Sequence, residues 1–444
     1  MDTLILAAQL ILSLSILIVL HELGHFLPAK KFKMRVDKFY LFFDPYFSLF
    51  KIKKGETEYG IGWLPLGGYV KISGMVDESM DKEQMAQPPQ PWEFRSKPAW
   101  QRLIVMIGGV TVNLLLGMFI YAMILFYYGK EFLPMQNATY GIALNDSLAY
   151  EAGFRNGDQI TTINGTKPKD FRELNLEILL NSGSETAVVL ERKGERVAFN
   201  IAPDFPEKLL TLKDPLLLSP GIPIIIDSLP PDSKAKQAGL EKGDQIIGVN
   251  DLELVVFQEL PMVLQNLKNQ SAAIQVIRNS DTLSVNCPVS GEGTLGFFNI
   301  NPNKVLTFEV EKFGFFESFP AGVKEATSTL SNYVRQFKLV FTREGSKKVG
   351  GFAAIAQQFD TKWDWLRFWN ITAFLSVALA FMNILPIPAL DGGHVLFLIY
   401  EIVTGRKPND KFMEYAQVVG MVLLLSLLVF ANGNDLYKWV MSKF

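Results

Sequence analysis

The pattern of apolar and polar positions divides the chain into four long apolar runs and one large mixed insertion. A helix crossing the hydrocarbon layer needs roughly 20 apolar residues. Thr3 to Leu20 with its continuation, Leu103 to Tyr128, Phe368 to Leu390, and Ala416 to Asn434 less its polar end meet that need. The spanning segments are therefore expected at 1–30, 100–128, 366–391 and 414–434. The first run has no basic leader and no small-residue cleavage site, so it reads as a retained anchor rather than a signal peptide. After it, "GIGWLPLGGYVKISG" from Gly60 alternates apolar and polar positions among glycines and follows the turn "KKGE". That pattern predicts strands, in a membrane-associated β region at 40–80. Phe313 to Phe341 mixes apolar and charged residues as an amphipathic helix does, within a linker at 305–348 that lies on the membrane or against the insertion.

The insertion repeats itself. "AGFRNGDQITTINGTK" at Ala152 and "AGLEKGDQIIGVNDLE" at Ala238, 86 positions apart, share Ala-Gly, then Gly-Asp-Gln-Ile, then Asn at equal offsets. Two copies of a small domain have such a period, whereas a solenoid repeats at shorter intervals and more often. Gly157-Asp158 and Gly243-Asp244 supply a turn between a short helix and a strand. These segments resemble PDZ domains of bacterial proteases, with any small duplicated αβ domain as the alternative. The resemblance sets the two at 129–212 and 213–295, and it implies capture or exclusion of extended peptide along a groove edge, or a spacer role.

Charge then orients the helices, because Lys and Arg near helix ends stay on the cytoplasmic side. Lys30, Lys31, Lys33, Arg35 and Lys38 follow the first run, Arg95, Lys97 and Arg102 precede the second, and the start "MDT" has no basic residue. The N-terminus is thus expected outside, and the insertion with it, in the periplasm of a bacterium. Arg406, Lys407 and Lys411 between the third and fourth runs agree.

Composition narrows the chemistry. Hydrophobic residues make up 49% of 444 residues, with 34 Phe and a positive mean hydropathy, as expected of a polytopic α-helical membrane protein with soluble insertions. A formal net charge of -2 gives a nucleic-acid partner no support. The single cysteine, Cys287, excludes an internal disulfide and a Cys-rich metal site, so any metal is held by carboxylates and the three histidines.

Two of those histidines stand in "HELGH". His21 and His25, at i and i+4, lie on one face of a helix, with Glu22 beside them. In that motif the imidazoles bind zinc, a position stays open for water, and the glutamate is the general base. A third protein ligand has to come from elsewhere. Asp391, in "NILPIPALDGGH", is the candidate, because an ionisable residue next to an apolar span is costly unless it is paired or binds a cation. A helix cap at the membrane surface is the plainer role for it. Pro386 and Pro388 break the third helix there and free backbone groups for a polar cavity. His394 is a rival ligand or a partner of one. Pro28 is expected to end or kink the first helix just after His25.

Taken together, "HELGHF", "LPLGGYVKISG", the paired PDZ-like repeats and "NILPIPALDGGH" resemble the bacterial site-2 metalloproteases of the regulator of sigma-E protease type, over nearly the whole chain. The resemblance implies a zinc intramembrane protease in the inner membrane. It assigns zinc to His21, His25 and Asp391, above His394, and catalysis to Glu22. Asn383 matches the family's residue that holds substrate near the metal, with helix packing as its alternative. Gly67, Gly68, Pro386 and Pro388 fall in the segments that position substrate. The implied substrates are pre-trimmed single-pass proteins of the anti-sigma factor type and remnant signal peptides. The sequence departs from the family pattern at Pro28 and at Phe352, where proline is usual. A non-catalytic PDZ adaptor and a tethered protease facing outward are the rival readings, and the second is opposed because the motif lies inside its own anchor.

Overall fold

The computed structural model describes residues 2–65, 67–75, 87–181, 183–212 and 216–441. It divides into two compact units: Met1–Gly129 with Lys312–Arg335 and Val349–Phe444, and Lys130–Glu311 with Gln336–Lys348. Among the described residues four helices are long and apolar enough to cross a membrane: Asp2–Lys31, Ala99–Tyr128, Trp365–Ile384 and Lys411–Met441. In lipid the hydrophobic effect does not drive helices together, so small residues and hydroxyls must do it. The first helix meets the second where Gly24 faces Gly108 and Gly109; a Cβ on Gly24 would stand 2.5 Å from the Gly108 carbonyl oxygen. Gly117 lets the second helix approach Val377 on the third, and the Ser376 hydroxyl donates to the Asn113 carbonyl at 2.7 Å. A buried pair of hydroxyls, Ser13 and Thr372 at 2.9 Å, joins the first helix to the third.

The first helix corrects one expectation. Pro28 does not end it; the helix runs on to Lys31. Proline removes the N–H that would bond the Gly24 carbonyl. Gly108 packs directly on that carbonyl, where any Cβ would overlap it. The carbonyl is thus covered by the neighbouring helix, and the Phe32 N–H closes the last turn on Pro28.

The sheet of this unit has strands β1 (Val36–Leu41), β2 (Phe43–Lys54), β3 (Thr57–Leu64) and β4 (Tyr69–Ile72) in the order β2-β3-β1-β4. The Gly55 turn, at φ 63°, joins β2 to β3. β1 then pairs in parallel with β3 and antiparallel with β4, so β4 is an edge. Buried Tyr40 covers Gly60, where a side chain would overlap its ring, and stacks on Tyr69. Burial, together with the bond its hydroxyl donates to Asp44, raises the Tyr69 phenol well above the ordinary range. The helix Phe315–Phe337 packs Gly322 on Ala122 of the second spanning helix and Tyr333 on Phe374 and Phe381 of the third.

The second unit uses one pattern twice. Core residues Ile160, Ile163, Leu174, Ile178, Val188 and Leu190 recur as Ile246, Val249, Leu260, Leu264, Ile274 and Val276, each 86 positions later. Strands Gln159–Ile163, Thr186–Arg192 and Glu195–Ile201 correspond to Gln245–Val249, Ser271–Arg278 and Asp281–Pro288, all antiparallel to their neighbours. The shared "GD" turn is a buried ion pair. Asp158 and Asp244, each 1% exposed, receive two 2.7 Å bonds from Arg192 and Arg278, which also bond the carbonyls of Gly153 and Gly239. The shared Asn sits at positive φ, and its side chain accepts the backbone N–H of Ala187 or Ala273.

Candidate metal centre

His21 and His25 follow one another by a helical turn, with ring centroids 4.9 Å apart. Their face meets the stripe Val105, Gly109 and Asn113 of the second spanning helix. Gly109 makes the room: a Cβ there would overlap His25 Nε2 and stand 2.7 Å from His21 Cε1. The Val105 carbonyl accepts the His25 Nδ1–H at 2.8 Å, which leaves the Nε2 lone pair bare. The Asn113 amide lies 3.1 Å from His21 Nδ1, and its own Oδ1 is buried without a partner. A half-turn of that amide exchanges its oxygen and nitrogen. Oδ1 then accepts from His21 Nδ1–H, and His21 Nε2 is bare as well.

Asp391 reaches the same point from the third helix, which stops at Ile384. Pro386 and Pro388 cannot continue a helical hydrogen-bond ladder, and the chain turns tightly, Ile387 N–H to the Leu385 carbonyl and Leu390 N–H to that of Ile387. Asp391 opens the next helix, Asp391–Thr404. Gly392 and Gly393 are required because this turn folds back on it. A Cβ on Gly392 would overlap the Leu385 carbonyl oxygen, and one on Gly393 would stand 2.7 Å from that of Ile387.

Asp391 Oδ2 stands 3.3 Å from His21 Nε2 and 3.4 Å from His25 Nε2, and the two Nε2 atoms are 3.2 Å apart. The carboxylate oxygen is buried and accepts no hydrogen bond. Three lone-pair donors at such separations repel one another unless a cation lies among them. A tetrahedral zinc with bonds of about 2.0–2.1 Å needs ligand separations of roughly 3.3–3.4 Å. The donor set therefore fits zinc, with one position left for water. Among the described residues this is the group of converging donors, and His394 is not in it.

The other expected residues surround the trio unequally. Asn383 places Nδ2 3.4 Å from His21 Nε2. Glu22 faces strand β4: the Val70 N–H donates to its carboxylate, and a Cβ on Gly68 would stand 3.6 Å from its Cγ. Gly68 admits no side chain, since one would also meet Ile18 at 2.5 Å. Gly67, at φ 156°, packs on Phe43 instead of on the trio. Gly109 and Asn113 had escaped the reading of the sequence. Their signal was present in "VMIGGVTVN", where small and polar residues recur at four-residue spacing inside an apolar run.

The family model described as Peptidase family M50 matches residues 9–427. The chain belongs to this family. Relatives span the M50 chain almost end to end. The regulator of sigma E protease of Haemophilus influenzae is 29% identical over 96% of this chain and 98% of its own length. The regulator of sigma-E protease RseP of Escherichia coli K12 is 26% identical over 96% and 97%. A Vibrio cholerae protein provisionally described as a zinc metalloprotease is 28% identical over 96% and 97%. The M50 chain is a zinc-dependent metalloprotease, and its apolar helices make it a bacterial membrane protein.

Proposed function

We propose that this M50 peptidase cleaves the membrane-spanning segments of single-pass proteins, with zinc held by His21, His25 and Asp391 and with Glu22 as the base. The observation that carries this reading is the convergence of two Nε2 atoms and Asp391 Oδ2 at 3.2–3.4 Å on helices apolar enough to cross a membrane. Bound zinc supplies Lewis acidity that polarises a peptide carbonyl and makes water a stronger acid. Glu22 accepts the proton of the attacking water and passes it to the leaving amine nitrogen. Asn383 holds the substrate backbone beside the metal. His25 and His21 keep their orientation through Val105 and Asn113.

A helical substrate hides its amides and carbonyls in its own hydrogen bonds, so it must unwind. Edge strand β4 begins one residue after Gly68, and an extended segment joins its outer side beside Val70, whose N–H bonds Glu22. Exposed Tyr46, Phe47, Leu49, Phe50 and Ile52 on β2 suit immersion of the sheet in lipid. Basic residues set the N-terminus and the insertion on the periplasmic side and the metal near the inner leaflet. The two repeats act as PDZ domains that exclude substrates with bulky outer domains. The substrates are pre-trimmed anti-sigma factors and remnant signal peptides.

Glu22→Gln preserves the ligand set and removes the base. It should lower cleavage of a membrane-anchored substrate by at least about 100-fold while zinc content stays at that of the unaltered protein. Cleavage at the original rate would remove Glu22 from the mechanism.

A further inference from the structure

The loop that delivers Asp391 is held from the fourth spanning helix. Gln417 is 5% exposed near the start of the fourth apolar run, and its Oε1 accepts the Ala389 N–H at 3.2 Å. Ala389, two residues before Asp391, is a non-glycine residue at φ 78°. A side chain in that left-handed region is strained and persists only where its surroundings hold it. Prolines at 386 and 388 donate nothing, so Ala389 N–H is one of few donors this turn has to anchor it. One turn along the same face, the fourth helix presses its backbone onto the loop. Gly420 abuts Pro388 so closely that a Cβ would overlap the Pro388 carbonyl oxygen.

We infer that Gln417 is a positioning residue for the metal centre. It locks the Ala389 peptide in its left-handed conformation and thereby sets the direction in which Asp391 enters the trio. Zinc affinity is then fixed in part by a helix that contributes no ligand. Gln417 is suited to this because its amide oxygen accepts without carrying charge into the membrane, where an ionised side chain would be costly. The inference rests on the reading of Asp391 as a ligand.

The test is zinc affinity of the full-length protein in detergent micelles, measured by competition with a chelator, for five variants. Asp391→Asn tests the ligand assignment itself and should lose zinc strongly. Gln417→Met removes the acceptor at nearly constant volume and should weaken zinc binding by about 10-fold, the usual effect of losing a residue that orients a ligand. Gln417→Glu, kept protonated and so uncharged by burial, retains an Oε acceptor and should stay within about twofold of the unaltered protein. Ala389→Gly combined with Gln417→Met should regain part of the lost affinity, because glycine adopts positive φ without strain. Gln417→Ser, polar and too short to reach, gives the same expected loss should the methionine variant not accumulate. Unchanged zinc affinity in Gln417→Met or Gln417→Ser, alongside a loss in Asp391→Asn, overturns the role of Gln417. So does an equal loss in Gln417→Glu, which would mark general packing. Unchanged affinity in Asp391→Asn overturns the ligand reading instead.

Discussion

At the scale of single residues, the centre depends on atoms that are absent as much as on those present. Gly109 has no side chain because His25 Nε2 occupies the place where one would stand. Gly109→Ala should therefore push the imidazoles apart and reduce bound zinc and cleavage by about 10-fold or more, with elution as a monodisperse species retained. Gly433→Ala is its control, since nothing lies within 4 Å of that Cβ; zinc content there should not change. Asn113→Leu removes the acceptor for His21 Nδ1–H and should weaken zinc binding by roughly 10–100-fold, read by chelator competition. "HELGH" and Asp391 were legible in the sequence because charged and imidazole side chains are rare in apolar runs and the metal demands those types. Gly109 and Asn113 were not, because their meaning depends on which face of the second helix turns toward the first. Pro28 misled for a related reason: the Gly24 carbonyl that it leaves without a helical N–H is covered by Gly108 on another helix.

At the scale of elements, the repeat was legible as a spacing, but its cause was not. The "GD" pair looks like an ordinary turn. Its aspartate in fact receives an arginine 34 positions later in both copies. Removing one partner leaves a buried carboxylate uncompensated, so Arg278→Met should destabilise the second repeat. Hydrogen exchange of the amides in 245–249 and 271–278 should accelerate by about 100-fold. Burial alone would raise the Asp244 carboxyl, but Arg278 and the Glu241 N–H outweigh it and hold it below its ordinary value. A depressed carboxyl stabilises the fold above the unfolded value near about 3.9. That contribution is lost as pH falls through the lower, folded value. Protection of these strands should accordingly fall on acidification in the unaltered protein and vary less with pH in Arg278→Met. The pleated region at 40–80 was legible as strands, whereas the parallel pairing of β1 with β3 was not, because register across a crossover leaves no local mark.

At the scale of the whole molecule, four apolar runs and their basic flanks carry the orientation proposed above. Cys287 makes that orientation easy to test. Burial raises its thiol to about 11, and it lies in the core of the second repeat, so it reacts poorly. Single cysteines can be added without removing it. Thr3→Cys and Lys242→Cys should react with an impermeant maleimide applied to intact cells after outer-membrane permeabilisation, and Lys407→Cys only after lysis. Reaction of all three from one side would refute the assignment. The central claim is that zinc chemistry takes place within the bilayer on a spanning segment. Its most direct test is mass-spectrometric mapping of the bond cut in a single-pass substrate reconstituted with the purified protein. The cut should fall within the apolar segment and disappear with Glu22→Gln or with zinc removed by chelation. A cut confined to the soluble flank, or one that persists in the Glu22→Gln protein, would contradict it.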